Sequence, residues 1–185
     1  MPQAGNFKTG KNSLLNSLVQ IIRGNLFIPD PRKGWNKHAF KVAVKVIREQ
    51  GIDIIITTSP PHSTQLIGLK LKKKFPHIKW IADLRDPWTD IYYYDDLKRS
   101  KLAKKLDLDL QKKVLNSADS LLHASSQYVP MFQNHIKKDI YTKSVVIRNG
   151  FDPADFKDFN YENSSAFTMS YIGSMSDIYP IDDLV

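Results

Sequence analysis

The sequence predicts an α/β fold in which a parallel β-sheet carries helices on both faces. Three observations lead there. Short apolar runs rich in β-branched residues recur at 53–59, 79–85, 120–125 and 144–149, each of a length suited to a buried strand. Between successive runs lies a segment of helical periodicity, as the crossover between parallel strands requires. The composition, 42% hydrophobic and 25% charged over 185 residues, is that of a globular chain with a sizeable core.

The elements follow in order. Leu14, Leu15, Leu18, Val19 and Ile22 recur at helical spacing, with Gly24 as the expected stop. A second helix, from about Asn36 to Gln50, gathers Ala39, Phe40, Ala43 and Ile47 on one face and Lys37, Lys41, Lys45 and Arg48 on another, and Gly51 ends it. DIIITTS is the first strand, closed by Pro60 and Pro61. The stretch from His62 to Phe75 is helical in pattern and ends in KLKKK, cations placed against the negative end of the helix dipole. KWIADLR is the second strand, and a long helix at roughly 97–117 repeats Leu102, Leu106, Leu110 and Val114 four apart. A third strand at SLLHAS, a helix from Gln127 to Lys137, a fourth strand at SVVIRN and a fifth at FTMSYIG (167–173) complete the pattern.

In open parallel sheets ligands bind at the carboxyl ends of the strands. That rule selects the loops SPPHS, DLRDPW, NGFD and GSMSD, each of them rich in polar groups. Other motifs lack a necessary part. The segment GNFKTGKN (5–12) has Asn12 where a phosphate-binding loop needs a hydroxyl, and no strand precedes it. Asp107-Leu-Asp109 falls in mid-helix, where residues two apart point to different sides, so two solvated acids on a lysine-rich surface are expected. His123 with Ser125 or Ser126 lacks the nucleophile elbow of a serine hydrolase, and the serines read as a helix cap. The absence of cysteine excludes disulfides, a cysteine nucleophile and cysteine-ligated metal, and suits a reducing cytosol.

The net charge of +8 is unevenly spread: residues 1–150 carry +14 and residues 151–185 carry −6. Such a break marks a domain boundary or linker near Gly150. In FIPDPRKGW (27–35), Phe27, Ile28 and Trp35 stand beside Arg32, Lys33 and Lys37, a combination suited to an anionic membrane surface. Trp35, Lys37, Lys41 and Lys45 are therefore the expected membrane-facing residues. Nucleic acid is not an expected partner, since no aromatic or glycine pattern of an RNA-binding motif accompanies the charge. The opening MPQAGNFKTGKNS has no signal-like apolar core, and no run approaches the roughly 20 apolar residues of a membrane span. A cytoplasmic protein is expected, peripheral on the inner face of the membrane if it binds there.

TTSPPHS (57–63), WIADLRDPW (80–88), SVVIRNGFD (144–152) and MSYIGSMSD (169–177), in that order and spacing, resemble the middle of a family 4 (group 1) glycosyltransferase, especially the bacterial surface-polysaccharide members. The resemblance runs from about Phe27 to Val185. It implies a GT-B architecture of two Rossmann-like domains, the first binding mainly the acceptor and the second mainly the nucleotide-sugar donor. It also implies a retaining, metal-independent transfer with no cofactor, helix N-termini and basic side chains stabilising the leaving diphosphate.

Carried over by motif, Asn149 and Gly150 lie at the cleft and Gly173 lets the donor diphosphate approach. Asp86 and His62 are the catalytic candidates, orienting or bonding the reacting hydroxyl. Ser59, Arg85 and Trp88 are expected to bind substrate, with the Tyr92–Tyr94 run as further stacking surface. The family's E-x7-E motif is missing, for the chain has only Glu49 and Glu162. The expectation is therefore an internal piece: residues 1–150 as a partial acceptor domain, 151–185 as linker and first donor-domain strand, inactive in isolation. A rival reading is a non-catalytic basic α/β module that docks on membrane or an acidic partner.

Overall fold

The computed structural model describes residues 13–91, 94, 97–156 and 165–173, with side chains from residue 18 onward. The chain divides into two compact units, Met1–Asn149 and Gly150–Val185. In the first, α1 (Ser13–Leu26) leads through a 3-10 turn at Pro31–Trp35 to α2 (Asn36–Gln50), followed by β1 (Ile54–Ser59), a short turn at His62–Thr64 and α3 (Gln65–Lys74). Then come β2 (Lys79–Leu84), α4 (Lys101–Ser117), β3 (Ser120–His123), α5 (Tyr128–Gln133) and β4 (Ser144–Val146). All four strands are parallel, in the order β1-β2-β3-β4. The predicted α/β class with a Rossmann-like parallel sheet is observed, but among the described residues its crossover helices cover one face and not both.

An order that never reverses, combined with the right-handed crossover usual between parallel strands, sends each connecting helix to the same face. The packing agrees. Trp80, Ala82, Leu84 and Leu121, which share one face by register, are buried with Val114 and Leu115 of α4 and Phe132 of α5, while Leu66 and Leu69 of α3 pack against them. Among the described residues the opposite face is open, with Ile54 57% and Ile56 61% exposed on β1. A second cluster seats Ile47 of α2 against Ile67 and Leu71 of α3 and Ile78.

Where boundaries differ from the sequence pattern, side chains explain the shift. Gly24 does not end α1, which runs to Leu26; its bare α-carbon is needed where the helix meets Leu97 and Arg99. In α4 the buried stripe is Ala103, Asp107, Gln111, Val114 and Leu115, rotated by one residue from the expected leucine stripe. Leu102 and Leu106 face solvent because small Ala103 admits the close approach and Asp107 and Gln111 supply acceptors that the β2 loop requires. Asp107 is therefore not the solvated acid expected. Helix α5 stops at Gln133, whose side chain bonds the Ile136 carbonyl and the Ile140 amide and so turns the chain.

In the second unit, Pro153–Phe156 forms a 3-10 turn with Phe151 edge-on to Phe156. The fifth strand expected at 167–173 is not formed: a strand needs a neighbour for its ladder, and no partner strand is present among the described residues. The remaining GSMSD residues, 174–177, lie outside the described residues.

Gly68 is where α3 crosses the sheet most closely, since a β-carbon there would lie 2.3 Å from Trp80 Nε1. That indole is wholly buried and tied to Thr57 Oγ1 at 2.8 Å, so it has nowhere to move. Gly68→Ala is expected to destabilise the fold by about 1–3 kcal/mol through overpacking, measured by urea unfolding.

Candidate functional site

The site grows from the end of β1. Thr57 and Ser59 point to the covered face, and Gln65, the first residue of α3, reaches back under them. Its Nε2 lies 3.0 Å from Ser59 Oγ and 2.9 Å from the Asp83 carbonyl, while its Oε1 accepts from Thr57 Oγ1. Ser59, expected to bind substrate, is instead wholly buried and spends its hydroxyl on Gln65 and the Asp83 carbonyl. The strand period places it inward, where no ligand can reach it.

Beyond Ser59, Pro60 and Pro61 follow cis bonds and deliver His62 over the sheet end. The His62 ring lies against the Trp88 indole, centroids 4.9 Å apart and planes within 10°. Asp30 fixes this loop from the other side. Its Oδ2 accepts from the Ser63 amide at 2.7 Å, and its Oδ1 accepts from the Ser63 hydroxyl and the Arg32 amide at 2.9 Å each. Asn36 adds a bond from its Nδ2 to the Ser63 carbonyl.

Trp88 is held from below by Asp107, which accepts its indole N–H at 2.9 Å. The second carboxylate oxygen accepts from the Tyr94 hydroxyl at 2.8 Å and from Arg99. Arg99 stacks over the Tyr94 ring and donates through Nη2 to the Pro29 carbonyl at 2.8 Å, joining the approach to α4 to the segment that follows α1. Burial and the neighbouring Asp107 carboxylate hold the Tyr94 phenol above its ordinary pKa, so it remains a neutral donor. Next to Trp88, Thr89 gives both its amide and its hydroxyl to Gln111 Oε1 at 3.0 Å.

These elements enclose a cavity of about 340 Å³ at the carboxyl ends of β1 and β2. Phe27, Pro29, Pro61, Trp88, Ile91 and Leu97 supply apolar walls; Arg23, Arg32, Arg99 and His62 supply polar atoms. Of the four buried side-chain nitrogens without a hydrogen-bond partner among the described residues, two, His62 Nδ1 and Arg99 Nε, belong to residues that line this cavity. Burial lowers the His62 pKa from 6.5 to about 4, with Asp30 opposing and Arg99 reinforcing the shift, so the ring is neutral near pH 7. Among the described residues no group of three His, Asp or Glu side chains is placed to hold a metal ion.

The structure thus brings together His62 and Trp88 from the sequence-derived set. Trp88 is only 2% exposed and presents its face to His62 rather than offering an open platform. Arg85 and Asp86 are part-buried and lie outside the cavity wall; Arg85 turns back to within 3.7 Å of Asp83. Asn149 ends the first unit, exposed, while Gly150 and Gly173 belong to the second, also exposed. Trp35, Lys37, Lys41 and Lys45 are exposed on and beside α2, with Lys45 paired to Glu49. His123 is buried and bonds Ser144 rather than Ser125 or Ser126. Ser125 accepts from the Gln127 amide in a turn just before α5, whose N-cap is Gln127, so the expected serine cap is not made.

The phosphate-loop-like segment 5–12, Tyr92 and Tyr93 lie outside the described residues. Asp30, Arg99 and Asp107 carry the site and were missed. The signal available was that a buried tryptophan needs an acceptor for its N–H, and that Asp107 continues a four-residue spacing from Ala103 to Gln111. No protein-family model, curated protein or solved structure matches this chain.

Removing the Asp107 carboxylate strands a buried guanidinium, an indole N–H and a phenol. Asp107→Ala is expected to cost about 3–5 kcal/mol, and Asp107→Asn less, in urea unfolding. The buried histidines set a second expectation. Both His62 and His123 fall from 6.5 to about 4, chiefly through burial, so between those values the unfolded chain binds more protons than the native one. Stability is full above pH 6.5 and declines as pH falls toward 4, and the urea midpoint should drop between pH 7 and pH 5. The His62→Gln, His123→Gln double variant should flatten that slope.

Proposed function

We propose that the chain is the acceptor-side part of a retaining, metal-independent glycosyltransferase, with residues 151–185 leading into donor-binding structure. The observation that carries this reading is the neutral, unpartnered His62 stacked on Trp88 inside a cavity at the carboxyl ends of parallel strands. A saccharide suits such a lining. Its C–H faces pack on aromatic and prolyl walls, and its hydroxyls supply the acceptor and donor that Arg99 Nε and His62 Nδ1 lack. Arg23 and Arg32 suit a phosphate carried by the same molecule.

In this proposal the anomeric C–O bond to the nucleotide diphosphate breaks, the acceptor oxygen takes its place on the same face, and the hydroxyl proton leaves with the diphosphate. With a pKa near 4, His62 is a weak base at neutral pH, and its role is to orient the acceptor hydroxyl. Asp86 and Arg85 stand away from the cavity, so the acceptor contact falls to His62 and Arg99 instead. The donor-side assignments of Asn149, Gly150 and Gly173 rest on the motif resemblance alone, as does the expectation of surface-glycan or lipid-linked acceptors.

The test is titration of the 185-residue chain with saccharides and saccharide phosphates, read by tryptophan fluorescence and calorimetry, alongside transfer assays with nucleotide sugars. Saccharide binding that weakens about tenfold or more in His62→Ala, with Arg85→Ala unaffected, is the expected result. A folded chain that binds no saccharide, or a His62→Ala variant that binds as well as the parent, would overturn the reading.

A further inference from the structure

We propose that α1, the turn after it and the lysine face of α2 form a surface that docks on an anionic phospholipid bilayer. This stands whether or not the cavity takes a saccharide. The first observation is an exposed apolar helix face. A surface helix of a soluble domain turns its apolar stripe inward. In α1 the contacts with the rest of the domain are made by small and polar residues of its last turn: Gly24 is buried against the Leu97 carbonyl, and Asn25 bonds the Lys98 carbonyl and the Ser100 amide. Leu18, Val19, Ile21, Ile22 and Leu26, which occupy less than half the helix circumference, are all exposed, Leu26 to 67%.

The same chemistry recurs beyond the end of α1. Lys33 reaches back to the Leu26 carbonyl at 2.8 Å, fastening the 3-10 turn to the end of α1. Two residues on, Trp35 is 51% exposed, and Val42 and Val46 follow it on the same side of α2, both exposed. Beside them stand Lys37, Lys41 and Lys45, all exposed.

Charge identifies the occupant. Within residues 18–50, leaving aside Arg23 and Arg32 of the cavity wall, the cations are Lys33, Lys37, Lys41, Lys45 and Arg48, against Asp30 and Glu49 alone. Asp30 gives both oxygens to backbone and Ser63, and Glu49 pairs with Lys45, so the exposed field is positive. A broad apolar stripe with a tryptophan and a cationic border fits the acyl boundary under anionic headgroups, where each lysine or arginine contributes about 1 kcal/mol. No described helix is long and apolar enough to cross a membrane, and the contact proposed lies in the interface plane.

Co-sedimentation of the whole chain with vesicles tests this, using phosphatidylcholine alone against phosphatidylcholine with phosphatidylglycerol. Binding at least about tenfold tighter to the anionic vesicles and reduced by salt is expected. A Leu18→Ser, Ile22→Ser, Leu26→Ser variant should lose it; Lys37→Gln, Lys41→Gln, Lys45→Gln should lower it about tenfold. These side chains are exposed, so circular dichroism should show an intact fold. Equal binding to neutral vesicles, or none to either, overturns the proposal. A dimer in light scattering that Ile22→Asp dissociates, without vesicle binding, would overturn it in favour of a second copy.

Discussion

The candidate site depends on one buried carboxylate. Asp107 holds the Trp88 indole, the Tyr94 phenol and the Arg99 guanidinium at once, and through Arg99 it reaches the Pro29 carbonyl. The loop after β2 is therefore gathered onto a single side chain of α4, and Arg99 extends the contact to the segment that follows α1. A buried charge is tolerable when paired and hydrogen-bonded, and with donors on both Asp107 oxygens no partner can rotate away without leaving another unsatisfied. His62 lies flat on the indole that this network holds in place.

A second polar hub supports the first. Gln65 joins the ends of β1 and β2 beneath the proline pair, so the loop that delivers His62 starts from a rigid base. Asp30 clamps the same loop from outside through Ser63. The cavity is thus framed by polar networks and walled by apolar side chains, the arrangement expected of a small-molecule site.

Fold class and strand positions were legible because a parallel strand is a local signal. IIITTS, KWIADL and SLLH announce themselves by branched apolar residues and need no knowledge of their neighbours. The inward face of α4 was not legible. Leu102 and Leu106 give the stronger periodicity, yet tertiary demand for acceptors turned Asp107 and Gln111 inward instead. Likewise Ser59 and Trp88 were placed in the right loops, while their burial depended on contacts with Gln65 and Asp107 that no spacing rule encodes. His62 lies in a loop that the strand-end rule selects, and its candidate role came from the motif resemblance. Segment 167–173 shows the converse: a strand-like sequence makes no strand until another strand lies beside it.

The unreversed strand order has a consequence for how disturbance spreads. Each strand pairs only with its sequence neighbours, so the hydrogen-bond ladder passes a disturbance on one strand at a time. The core cuts across that series, since Trp88 of the cavity wall is buried in one cluster with Leu121 of β3, Phe132 of α5 and Ile140 just ahead of β4. Damage near β4 therefore reaches the cavity through packed side chains rather than through the ladder.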